Sequence, residues 1–226
     1  MTERSPKSEQ TRRRLLDAAA AVVSEQGDGG TRLSDIARRA NVRTPAIYYH
    51  FSSREHLLEE VMHEGAVTML TRHDDAMAAL PSDSLAIERI TVAVDVHLRT
   101  ELSLSDYAKA LIRNSSQLSE GVAGRALVAV REYIDRWRVL LDTLEQEGSL
   151  RPGLDVSVAR MFVLSALNGA PDWYVPGRGA LDHVVDQAQV LILGSLVAPG
   201  NPGQDRDESN QQGDDDRHDR DDEEQS

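Results

Sequence analysis

The sequence predicts an all-α fold, on three observations. Apolar residues recur at helical spacing along most of the 226 residues, and no stretch alternates as a half-buried strand would. Aromatic residues make up only 4% of the chain, so a core must be packed from Leu, Ala and Val side chains. About nine helices are expected, in an N-terminal three-helix unit over 1–53 and a larger helical domain over 54–198. The acidic, Pro/Gly/Asn/Gln-rich remainder, 199–226, carries too little apolar surface to offset its ordering entropy and is expected to be disordered.

The first helix is expected over about 8–26, with Leu15, Ala18, Ala19, Val22 and Val23 on one face, and Gly27, Gly29 and Gly30 break it. Thr31 reads as the N-cap of a short second helix, its hydroxyl accepting an otherwise unpaired backbone N–H. Within that helix Leu33, Ile36, Ala37 and Ala40 fall at i, i+3, i+4 and i+7. Asn41 stands where it ends, a residue type that tolerates the left-handed backbone of a tight turn.

Pro45 opens the third helix without losing a hydrogen bond and favours an extended Thr44 before it. Ser52 and Glu55 read as a capping box for a long fourth helix, which Pro81 stops. Five more helices are expected, over about 83–101, 104–115, 119–148, 155–174 and 180–197. Pro171 should kink or shorten the fourth of these.

The net charge of −13 is unevenly spread. Residues 200–226 hold eleven acidic side chains against three arginines, whereas residues 1–54 hold ten Lys/Arg against six Asp/Glu. Phosphate binding depends on the local face and not on the total, so an acidic chain with a basic N-terminal unit remains compatible with nucleic acid. All but two of the basic residues (Lys7 and Lys109) are arginine, which suits bidentate phosphate contact.

Two short helices joined by a tight turn over 31–51 form the helix-turn-helix pattern, whose second helix enters the major groove. With Ile47 and Phe51 turned inward, the residues left facing outward are Arg43, Thr44, Ala46, Tyr49 and His50, with Tyr48 at the edge, and Pro45 is counted with them as a candidate DNA contact. Arg43 suits guanine or phosphate, Thr44 and Ala46 suit thymine methyls, and the tyrosine hydroxyls and His50 suit phosphates. Thr31 and Arg54, at the starts of the second and fourth helices, join this candidate DNA-binding set because helix N-termini favour anions. Arg12, Arg13 and Arg14 are placed to reach the flanking backbone.

The stretch from Leu33 to Val61, LSDIARRANVRTPAIYYHFSSREHLLEEV, closely resembles the TetR family of bacterial repressors. The Ile-Ala pair, the Val of the turn, the Tyr-Tyr-His-Phe run and the Ser-Arg-Glu-x-Leu opening of helix four carry the resemblance. Two departures are visible. Asp28 stands where the family usually has an aromatic, which should loosen helix one, and Arg54 stands for the usual lysine.

The resemblance implies a C-terminal domain that binds a small-molecule inducer internally and dimerises through its last two long helices. Val158, Met161, Phe162, Ser165 and Ala166 form a stripe on the eighth helix. Candidate dimer-interface residues are Ala166, Gly169, Val190, Leu193, Gly194 and Val197.

The run Asn168-Gly169-Ala170-Pro171-Asp172-Trp173-Tyr174-Val175-Pro176-Gly177 is similar to TetR-type regulators of fatty-acid and steroid catabolism, which commonly sense acyl-CoA thioesters. Candidate ligand contacts are therefore Arg113, Trp137, Met161, Asn168, Trp173 and Tyr174. Arg113, Arg136 and Arg138 suit an anionic headgroup, although solvated helix faces are the plainer reading of all three.

The expected function is a cytoplasmic, homodimeric repressor that binds a palindromic double-stranded operator and is released by an inducer, an acyl-CoA or another lipid-derived ligand. An activator or architectural DNA-binding protein on the same scaffold is the alternative. No membrane partner is expected, since no apolar run approaches the roughly 18 residues of a spanning helix. Seven histidines without HExxH or paired metal spacing, and the lack of GxSxG or a phosphate-binding glycine loop, argue against an enzyme, a metal site or a cofactor.

Overall fold

The computed structural model describes residues 6–114, 124–175, 177 and 180–198, apart from the side chains at 104, 113 and 114. The expected 199–226 tail lies outside these residues. The helices are α1 (Pro6–Gln26), α2 (Leu33–Arg39), α3 (Pro45–His50), α4 (Arg54–Ala79), α5 (Ala86–Arg99), α6 (Asp106–Asn114), α7 (Gly124–Gln146), α8 (Val156–Asn168), α9 (Ala170–Trp173) and α10 (Leu181–Leu196). A π-helical turn, Thr100–Leu104, joins α5 to α6. The all-α expectation holds, with an N-terminal helix-turn-helix and a C-terminal helical domain. No described helix is long and apolar enough to cross a membrane.

Two apolar cores organise the chain. The first gathers Leu15, Leu16, Ala19, Val22 and Val23 of α1 with Ile36, Ala37, Ile47 and Phe51 of the helix-turn-helix. It also takes Leu57, Leu58, Val61 and Met62 from α4 and Ala110 and Leu111 from α6. The division expected at residue 53 thus falls just ahead of a helix whose first turns complete the N-terminal core. The second core lies between α5, α7, α8 and α10 and is centred on the fully buried Trp137.

Local chemistry explains the boundaries, with some corrections. Gly27 ends α1 at φ 72° and Asn41 forms the inter-helix turn at φ 53°, both in the left-handed region. Thr31 is not an N-cap. It is buried, and its hydroxyl donates backwards to the Gly27 carbonyl at 2.7 Å, leaving Arg32 as the cap residue of α2 without a side-chain bond. Thr44 is helical (φ −48°, ψ −40°), because the chain already turns ahead of Pro45. The cap of α4 is Ser53, whose Oγ accepts from the His56 N–H at 3.1 Å, while the Ser52 hydroxyl meets the His56 ring at 3.0 Å. The expected break at Pro171 is present: α8 stops at Asn168, and α9 is a single turn.

Asp28 does not loosen α1. The Arg54 guanidinium ion-pairs with its carboxylate and also donates to the carbonyls of Asp28 (2.6 Å) and Thr31 (3.3 Å). The end of α1 is therefore fastened to the start of α4 by charge where packing by an aromatic was expected.

Candidate DNA-reading face and ligand cleft

The short α3 has one buried residue, Ile47, and its C-cap Phe51 is also sealed in the first core. Seating those two fixes the rotation of the helix and turns Tyr48 (58% exposed) and Tyr49 (79%) outward. Arg43 and Pro45 are exposed, and Thr44, Ala46 and His50 are half-buried on the same short segment. The Tyr49 ring meets His50 edge-on at 5.0 Å. Arg43 forms no ion pair among the described residues, so its charge is available to an external anion.

Two members of the sequence-derived set are engaged within the chain. Thr31 is buried, and the Arg54 guanidinium is occupied by Asp28 and two carbonyls. The α1 arginines are also engaged internally. Arg12 pairs with Glu60 at 2.7 Å and lies over the Phe51 ring, Arg13 pairs with Asp17 at 3.3 Å, and Arg14 caps the Ala40 carbonyl at the end of α2. Glu60 takes a second guanidinium from Arg125 of α7. Burial alone would raise the Glu60 carboxyl, but Arg12 and Arg125 hold it below the usual carboxylate range. Arg32, exposed at the start of α2 and without a described partner, is a cation that the sequence reading did not select. Its signal was its position beside a helix N-terminus.

In the C-terminal domain a cleft of about 430 Å³ opens between α4, α6, α7 and α8. Met69 of α4, Leu111 and Ile112 of α6, and Val130, Tyr133 and Ile134 of α7 form its apolar walls. The α8 wall carries Arg160, Met161, Leu164, Ser165 and Asn168. A size of this order, with apolar walls and a few polar groups, suits a small-molecule site.

Of the expected ligand residues, Met161 and Asn168 line the cleft. Trp137 is fully buried in the core, Tyr174 packs against that core, and Trp173 is 62% exposed on α9; none of the three is among the residues lining the cleft. The side chain of Arg113 lies outside the described residues. Arg136 is tied to Asp74 at 2.9 Å, and Arg138 to Asp135 at 3.1 Å, on exposed faces. The remaining wall residues went unselected because their apolar faces look like ordinary core in sequence.

A buried polar cluster lies deeper. His97 Nδ1 meets the Tyr133 hydroxyl at 2.9 Å, and His97 Nε2 approaches the Glu101 carboxylate at 3.4 Å in the π-helical turn. Burial pushes the Glu101 carboxyl up despite His97, and burial pushes His73, beside Tyr133, down despite Asp74.

The outer faces of α8 and α10 form an apolar surface. Val158 (50%), Met161 (64%) and Phe162 (73%) are exposed on α8, as are Val190 (65%) and Leu191 (72%) on α10. Ala166 and Gly194 are exposed on the same two helices, and Gly169 is half-buried. Leu193 and Val197, also expected at the dimer interface, are half-buried against the chain's own core, and Val197 pairs with Leu150 in a β-bridge.

Known proteins share this arrangement. Residues 15–61 match the family model described as bacterial regulatory proteins, tetR family, and residues 83–196 match the tetracyclin repressor-like C-terminal domain. The chain is 26% identical over 197 residues to the HTH-type transcriptional repressor KstR2 of Rhodococcus jostii, covering 84% of this chain and 93% of that protein. In fold it is similar to the ketosteroid transcriptional regulator KstR2 of Mycobacterium tuberculosis (TM-score 0.71, 22% identity, 83% of this chain and 95% of that one). It is also similar to AibR, solved with isovaleryl coenzyme A and operator DNA (TM-score 0.69, 19% identity, 80% and 97%). With a reading helix seated by Ile47 and Phe51, and with matches covering both halves of the chain, the protein belongs to the TetR family of transcriptional regulators and is a DNA-binding regulator, not an enzyme.

Proposed function

We propose that the chain is a homodimeric repressor that grips a palindromic operator through α3 and lets go when a lipid-derived small molecule, an acyl-CoA among the candidates, fills the cleft between α4, α6, α7 and α8. The observation carrying the DNA half is the outward pair Tyr48 and Tyr49 on a helix whose rotation is locked by Ile47 and Phe51. Thr44, Pro45, Ala46 and His50 complete the contact surface, and Arg43 supplies a charge unengaged among the described residues. The repressor and acyl-CoA assignments draw support from similarity to the repressor KstR2 and to AibR, which was solved with isovaleryl coenzyme A and operator DNA.

Dimerisation follows from the exposed apolar faces of α8 and α10. Val158, Met161 and Phe162 of α8 and Val190 and Leu191 of α10 are apolar side chains left in water, and they are covered when a second copy presents the same two helices. Release is a population shift, and moving from 1:99 to 99:1 needs about 5.5 kcal/mol of differential ligand affinity. Helix α6 is the natural lever: Leu111 belongs at once to the cleft wall and to the reading-head core.

The test is selection of genomic fragments on the purified full chain at low salt. A palindrome whose half-site centres lie about 34–36 Å apart is the expected product. No enriched sequence would overturn the operator reading. A reporter fused to the selected site separates repression from activation by the sign of the response.

A further inference from the structure

The cleft walls are chemically lopsided. Met69, Leu111, Ile112 and Val130 offer only hydrocarbon, whereas the α8 wall carries Arg160, Ser165 and Asn168. Arg160 is the one charged side chain among the described lining residues, it is half-buried, and it makes no ion pair or hydrogen bond among them. Arg99, Arg125, Arg136 and Arg138 of the same domain are each held by a carboxylate, while Arg72 and Arg131, which also lack a partner among the described residues, are exposed and do not line the cleft. A guanidinium cannot shed its charge. Beside an apolar cleft and without a counter-ion it favours an anion brought in from outside. Eight residues of helical rise separate Arg160 from Asn168, about 12 Å, so the polar wall is long enough to follow an extended molecule.

We propose that the cleft takes an amphipathic anion, its hydrocarbon chain on the α4, α6 and α7 walls and its acidic head paired bidentately with Arg160, while Ser165 and Asn168 hydrogen-bond a polar group along the chain. This rests on the reading of the cleft as the inducer site. The acidic head has two chemical sources, a free carboxylate or the phosphates of a carrier thioester.

Calorimetric titration of the full chain with decanoate, 1-decanol and decanoyl-CoA at one ionic strength separates them. The expected result is binding of an anionic ligand that Arg160→Gln weakens about tenfold or more, that Arg160→Lys partly restores, and a decanol affinity that stays within about twofold. Decanoyl-CoA binding tenfold tighter than decanoate, with the Arg160 dependence, assigns the carrier thioester; decanoate binding at least as well assigns the free acid. Decanol and decanoate binding equally, both indifferent to Arg160→Gln, would overturn the anion site and leave the cleft reading standing. An Arg160→Gln chain that loses its dimer by sedimentation but keeps its ligand preference would overturn it too, making Arg160 an interface residue. If none of the three binds, the cleft reading falls with it.

Discussion

The Tyr107 phenol donates a 2.7 Å hydrogen bond to the Asp17 carboxylate, fastening α6 to the first helix of the reading head. Burial, reinforced by Asp17, raises the Tyr107 pKa and so favours the protonated, donating phenol. Arg13 lies over the same ring at 5.4 Å. On the other side of α6 the Tyr107 carbonyl presses against Gly65 of α4, where an added Cβ would collide with backbone. Helix α6 is thus clamped between α1 and α4 while its Leu111 and Ile112 side chains face the cleft.

Gly65→Ala should force α4 and α6 apart and cost about 1–3 kcal/mol, as overpacking against unyielding backbone does. Tyr107→Phe should cost about 1 kcal/mol and weaken the coupling between ligand and DNA more than either affinity alone. Urea unfolding checks the first. Operator titrations with and without saturating ligand check the second, and an unchanged ratio of the two affinities would remove α6 from the transmission route.

Tyr49→Ala and His50→Ala should each weaken operator binding by about 1–3 kcal/mol without altering dimerisation. Gel shift and sedimentation on the same preparations measure both. Retained affinity in both variants would relocate the reading face.

Arg54→Ala should destabilise the fold by about 1–3 kcal/mol by stripping the Asp28 carboxylate and two carbonyls of their donor. Arg54→Lys should recover only part of this, because an ammonium lacks the guanidinium fork. Since Arg54 is engaged internally, Arg54→Lys should leave the salt slope of operator binding unchanged. A shallower slope would place this side chain on a phosphate after all.

Phe162→Glu and Leu191→Glu should yield monomers at micromolar concentration while preserving helix content, because both side chains stand in the middle of the exposed α8 and α10 faces. Sedimentation equilibrium reads the outcome. Dimers in both variants would move the interface elsewhere.

Glu101→Gln should stabilise the protein at neutral pH by about 1 kcal/mol or more, because burial disfavours the ionised carboxyl that His97 only partly compensates. A carboxyl whose folded pKa lies above its unfolded value contributes stability below the unfolded pKa and loses it as pH rises through the folded one. The advantage of Gln over Glu should therefore shrink as pH falls towards the ordinary carboxylate range. Thermal melts of both chains at several pH values test this, and a pH-independent difference would show that Glu101 does not titrate between the two states.

The reading head was legible because its chemistry is local. Ile36, Ala37, Ile47 and Phe51 meet at fixed helical spacing, Asn41 takes the left-handed turn it suits, and seating Ile47 and Phe51 leaves the tyrosines outside. Pro171 likewise announced its own break. Thr31 was misjudged because a hydroxyl can bond forward or back, and only the carbonyl of Gly27 decided which.

Whether an arginine is free or engaged is a long-range question. Arg12 found Glu60, Arg54 found Asp28 and Arg136 found Asp74, at separations of 48, 26 and 62 residues. Arg160 has no such partner among the described residues. The sequence alone therefore determined the helices, the turn and the tyrosine edge left outside the core, since each depends on neighbours a few residues apart. Tertiary structure decided which charges remain available and which α8 side chains line the cleft or stay bare, Met161 doing both, because the apolar spacing of a helix does not say which neighbour each side chain will meet.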